Sequence, residues 1–204
     1  YGKLFITNDL TTNREVMLWR KYTLADNIAH SISKYLSTGG GDIGLTLSLV
    51  DDYLTRAGAP FNGNIRAQAQ ATYAAELMPA LRDPRLSQTT GLPGNPLRPG
   101  ATVAAFPPIN QSGFNRNTTG FPLYKYIEYD NLGATSDDFK STVPAIQFRY
   151  AEVLLNYAEA VAELGEDQNL IVSALQPLRS RAGMPGVDFD REYNTNTDYP
   201  FRQL

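Results

Sequence analysis

The chain contains no cysteine. That excludes a disulfide framework, a thiol nucleophile and a thiolate-held metal, and it leaves the redox compartment open. Histidine occurs once, at His30. A multi-histidine metal site is therefore excluded, and the one acid–base candidate competes with an ordinary surface imidazole. Long apolar runs are also missing. A membrane helix needs about 18 residues of them, and the longest candidate, Val143 to Leu164, is interrupted by Arg149, Glu152 and Glu159. No signal peptide opens the sequence. Positive charge is not in excess, since 18 Lys and Arg face 21 Asp and Glu. A nucleic-acid partner, which calls for a basic patch, is not expected.

What is present is loop-forming residues and aromatics. Sixteen Gly and thirteen Pro in 204 residues point to long irregular connections around one domain or a domain and a half. From Ser87 to Gly120 no periodicity is usable, and Pro and Gly alternate amid Asn, Gln, Ser and Thr. Loops of that length are uncommon unless they are functional or disordered. A polar loop is expected again over 131–141, and Ser37 to Asp42 is a glycine-rich break. That break lacks the Lys and Ser/Thr of a phosphate-binding loop and reads as a connection.

Regular structure is predicted around these loops. The sequence from 146 to 164 places Ile146, Tyr150, Val153, Leu154, Tyr157, Val161 and Leu164 at steps of three and four, one face of a helix. Gly165 follows where a left-handed C′ residue is wanted. A second helix carries Leu170, Ile171, Ala174, Leu175 and Leu178 and ends before Gly183. The two predict an antiparallel helical pair over 146–183, with Tyr157 buried mid-face. Further helices are expected over 25–36, over 47–57 with Thr46 as N-cap, and over 66–82. Val16, Leu18 and Trp19 suggest a strand, and Tyr124 to Tyr129 a short extended segment. The fold class is mainly α, with tetratricopeptide-like helical pairs, long loops and a few short strands.

The segment Phe148 to Gly165, reading Phe-Arg-Tyr-Ala-Glu-Val-Leu-Leu-Asn-Tyr-Ala-Glu-Ala-Val-Ala-Glu-Leu-Gly, resembles the last tetratricopeptide-like unit of the SusD/RagB family of surface nutrient-binding lipoproteins. It is followed by Ala174 to Pro185. Glu15 to Tyr22, Leu45 to Phe61, Leu81 to Leu86 and, more weakly, Gly120 to Tyr126 match in the order that family would place them. The resemblance implies that residues 1–204 are a C-terminal portion of such a domain. It also implies an acylated cysteine and more helical repeat before Tyr1, and a further helix after Leu204. It implies a non-catalytic role, binding glycans, or peptides in the RagB branch. The ligand would be delivered to a SusC-like TonB-dependent transporter at the outer membrane, with a lipid anchor as the only membrane attachment. No cofactor or metal is implied. A helical-repeat scaffold for a protein partner is the alternative.

The residues themselves support binding over catalysis. Asp51 and Asp52 point about 100° apart on a helix and do not face one substrate together; Asp137 and Asp138 read as solvated loop charges. An ion pair of Arg149 with Glu152 is the simplest account of the acidic helix face. Residues 130–138 offer hard oxygens for Ca²⁺ without the spacing of a known calcium loop. Sugar rings stack on aromatic faces while amides and charged groups take their hydroxyls. Candidates of that kind are Trp19, Tyr22, Tyr35, Phe106, Asn110, Phe114 and Asn115. For each aromatic, core packing competes with a ligand-facing role.

Overall fold

The structure, a computed structural model, describes residues 1–38, 43–61, 80–104 and 117–192. It divides into two compact units, Tyr1–Leu47 with Ser87–Tyr150 and Ser48–Leu86 with Ala151–Leu204. The described elements are mainly helical. None of their helices is long and apolar enough to cross a membrane.

The first unit is built on loops tied by hydrogen bonds. Its strands β1 (Val16–Arg20) and β4 (Ala145–Arg149) pair antiparallel, with Trp19 opposite Ile146. Residues 145–149 were expected to begin the long helix. Their β-branched and aromatic side chains, Ile146 and Phe148, instead suit a strand, because β1 supplies hydrogen-bond partners. The Tyr150 N–H still donates to Glu15 O at 2.7 Å, so the helix begins only where the chain passes Glu15, the residue that precedes β1. Arg149 reaches across the same pair to Glu15 at 3.0 Å, not to Glu152 as the spacing suggested.

The helix expected over 25–36 is half turn. Thr23 and Ile28 exchange backbone hydrogen bonds of 2.7 and 3.0 Å, and Asn27 takes a φ of 55°. Asn tolerates that region, and the Thr23 hydroxyl, accepting from Ala25 N, favours a turn over a helix start. Helix α1 is confined to Ile32–Thr38. The long loop also carries structure, a hairpin of β2 (Pro96–Arg98) and β3 (Ala101–Thr102). Residues 124–129 form no strand; Tyr126 turns the chain at φ 70°. The polar loop at 131 holds a short helix, α4 (Leu132–Ser136), because Asn131 Oδ1 accepts from Ala134 N as its N-cap.

At the centre of this unit Glu128 is only 5% exposed. Its carboxylate accepts from Ser141 Oγ at 2.6 Å, Thr142 N at 3.1 Å and Asn8 Nδ2 at 3.2 Å. Two separate segments, at Asn8 and at 141–142, are thereby fastened to one buried carboxylate, which needs such donors to remain buried. Leu10, Ile127 and Val143 pack in the same interior.

The second unit contains α2 (Leu47–Asp52, from Ser48 on), α5 (Tyr150–Glu163, from Ala151 on), α6 (Gln168–Ala182) and α7 (Phe189–Glu192). Helix α2 stops short of the expected Ala57. Arg82, 1% exposed, donates from Nη2 to Val50 O at 2.6 Å and Tyr53 O at 2.8 Å. Those carbonyls would otherwise accept from a further helical turn. Asp83 follows as the N-cap of α3 (Pro84–Thr89): its Oδ1 takes Arg85 N at 2.8 Å, Pro84 fills the first helical position, and Leu86 is buried. The run Leu81 to Leu86 thus ends one helix and starts another. Most of the helix expected over 66–82 lies outside the described residues.

Helices α5 and α6 form as predicted, with Gly165 and Gly183 at φ 66° and 69°. The buried face of α5 differs from expectation. It is Ala151, Ala158 and Val161, with Leu154 half-buried, while Tyr157 is 48% exposed and Leu164 75%. Hydrophobicity alone favours the larger residues. The small ones bury instead because alanine faces let backbones approach closely, and the tyrosine hydroxyl keeps access to water.

Candidate functional site

In the first unit, β1 delivers Trp19 and the turn after it delivers Tyr22. Trp19 is half-buried in the strand pair. Tyr22 is half-buried, packs edge-on to His30 with ring centres 4.6 Å apart, and has the Arg20 guanidinium 5.5 Å from its ring centre. The imidazole is held from both sides. His30 Nε2 lies 2.9 Å from Val143 O and Nδ1 receives Ile32 N at 3.3 Å, which assigns the proton to Nε2. His30 is a structural pin here, not the surface imidazole of the simplest reading.

One turn along, α1 presents Tyr35, which is exposed. Beside it Lys34 Nζ meets Asp138 Oδ2 at 2.8 Å. That hydrogen bond holds the Asp138 carboxyl below the usual carboxylate value and the Lys34 ammonium above its own. Phe139 comes next in the chain. It is 70% exposed, the second most exposed large apolar side chain described, and its φ is 56°. Composition gives no signal for this residue; only the backbone angle and exposure reveal it. The two-way backbone bridge of His30 with Ser141, at 3.1 and 3.0 Å, and the hydrogen bond from Phe139 N to Ser31 Oγ at 2.9 Å join the start of α1 to the segment 138–141.

The other predicted residues, Phe106, Asn110, Phe114 and Asn115, lie outside the described residues. Asn131 and Asp137, two of the oxygen donors considered for Ca²⁺, serve at the two ends of α4. Among the described residues no group of three or more His, Asp or Glu could hold a metal ion.

The second unit contains a cleft of about 650 Å³ lined by Tyr53, Leu155, Leu175, Leu178 and Phe189. Its charges are internally matched: Asp83 with Arg85 at 2.5 Å, and Arg179 with Glu192. The cleft is an apolar seam rimmed by ion pairs, and among the described residues none of Trp19, Tyr22 and Tyr35 lines it.

Comparison with known proteins gives the following. The model of the SusD family matches residues 4–203. A SusD-like protein from Bacteroides fragilis, known from its crystal structure, superimposes with a TM-score of 0.68 at 22% identity, over 92% of this chain and 40% of that one. The selenomethionine form of BT4246 gives 0.59 at 17% identity, over 99% and 40%. The chain therefore spans about two fifths of the length of these structures. No curated protein matches it.

Proposed function

Because the chain belongs to the SusD family, we propose that it is part of a surface nutrient-binding protein that takes oligo- or polysaccharide. It binds the glycan without cleaving it and hands it to a SusC-like TonB-dependent transporter, at the outer membrane, where the protein is held by a lipid anchor. Family membership carries this reading. The first unit supports it chemically: an exposed tyrosine stands beside a charged pair able to take hydroxyl hydrogen bonds, the combination that sugar rings require. Non-catalysis fits the occupied state of the titratable groups, since both His30 ring nitrogens and the Asp138 carboxylate are already engaged.

The test is calorimetric titration of the intact protein with a panel of polysaccharides and a panel of peptides, with reducing ends assayed in parallel. Saturable polysaccharide binding without new reducing ends is expected. Binding of peptides alone, or steady release of reducing sugar, would contradict the reading.

A further inference from the structure

Phe139 combines two features that a folded chain tends to avoid. A bulky residue at φ 56° is a backbone outlier held under strain, and an aromatic ring 70% exposed leaves its apolar faces in water. Neither feature comes from a loose loop. Phe139 N donates to Ser31 Oγ at 2.9 Å, Asp138 is bridged to Lys34 at 2.8 Å, and Ser141 exchanges backbone hydrogen bonds with His30. Three anchors within four residues hold the backbone while the ring stands out at its tip.

We propose that Phe139 is a stacking platform for one sugar ring, with the Lys34–Asp138 pair beside it. The proposal rests on the glycan reading above and names the place and the class of ligand. A rigidly presented ring loses little freedom when it binds, which is what a preorganised site gains. The hydrogen-bonding groups beside it are one cation and one anion, Lys34 and Asp138, 2.8 Å apart. Their charges cancel, so the platform attracts neither uronates nor sulfated chains and suits a neutral polysaccharide.

The strain supplies a test in which stability and binding move in opposite directions. Glycine adopts positive φ freely, so Phe139→Gly removes both the strain and the ring. The intact protein and its F139G and F139W variants would be titrated with amylopectin, xyloglucan and galactomannan, and with polygalacturonate and heparin as anionic controls. Melting curves would be recorded on the same samples. F139G is expected to melt at the same temperature or higher and to bind the neutral polysaccharide on the order of tenfold more weakly. F139W is expected to retain binding, and the anionic chains to be ignored by all three proteins. If F139G binds as the parent does, the platform is wrong while the glycan reading stands. A drop in both binding and melting temperature makes Phe139 a packing residue and overturns the platform as well. Absence of binding to every polysaccharide overturns both readings, and preference for the anionic chains overturns the neutral-ligand assignment.

Discussion

The two units solve the same problem, holding irregular chain in place, with charges of opposite sign. In the first, buried Glu128 gathers hydroxyl and amide donors from segments more than a hundred residues apart in sequence. In the second, buried Arg82 gathers backbone carbonyls from the end of α2. The acceptor at the centre of the first unit takes side-chain donors from Asn8, Ser33 and Ser141 and one backbone amide, Thr142 N, so it ties separate loops together. The donor at the centre of the second binds main chain, so what it fixes is where helices stop. The most exposed aromatic described, Phe139, belongs to the loop-built unit, and the helical unit offers a seam.

The largest effects should come from removing these two centres. Arg82→Ala leaves helix-end carbonyls buried without their donor and is expected to cost about 3–5 kcal/mol, the range for breaking a buried charged interaction. Glu128→Ala should cost about 2–4 kcal/mol by stranding its buried donors, and Glu128→Gln less, since an amide oxygen still accepts. Urea unfolding with separate probes in each unit checks both; equal losses for Glu128→Gln and Glu128→Ala would remove the carboxylate from its central place. Gly44 comes next. A Cβ there would lie 2.3 Å from Thr119 Oγ1 and 2.8 Å from Asn117 Nδ2, so Gly44→Ala is expected to cost about 1–3 kcal/mol through displaced neighbours.

Helix α5 sharpens the comparison from the other side. Tyr157→Ala should change stability by no more than about 0.5 kcal/mol, whereas Ala158→Leu should cost about 1–3 kcal/mol by overpacking a buried position. Thermal melting of both variants decides which face is inward. The smallest effect concerns acid. The Asp138 carboxyl is held low in the folded state, so the contribution of its pairing with Lys34 is present above the ordinary value of 3.8. It is lost only as pH falls below that value and through the lowered one. Lys34→Met should therefore raise the Asp138 midpoint in an NMR titration, since Lys34 is the largest cause of the lowering, and leave the Glu128 centre untouched.

Legibility followed the same division. The pair of long helices and the glycines that end them could be read directly, because periodicity and left-handed caps are local signals. The family resemblance was also legible, and the structure gives its motifs physical content. Glu15 and Arg149 come from two of the matching segments and form one ion pair; Arg82 and Asp83 in a third stop α2 and start α3. What could not be read was decided at long range. Strand β4 looks helical until β1 supplies its partners. The inward face of α5 was misread because alanine scores weakly on hydrophobicity, yet its small size suits close approach. In the first unit, Tyr35 is legible as an aromatic beside polar residues, and the structure exposes it. Phe139 is not legible, because its sequence neighbours give no hint of a positive φ.

The central claim is that glycan binds the aromatics of the loop-built unit and not the seam of the helical one. Hydroxyl-radical footprinting of the intact protein, with and without a bound polysaccharide from the panel, tests this residue by residue. Both units carry exposed aromatic reporters: Tyr35 and Phe139 in the first, Tyr157 and Phe189 in the second. Protection of Tyr35 and Phe139 with unchanged labelling of Tyr157 and Phe189 is the predicted result. Protection of Phe189 with Tyr35 and Phe139 still fully labelled would contradict it.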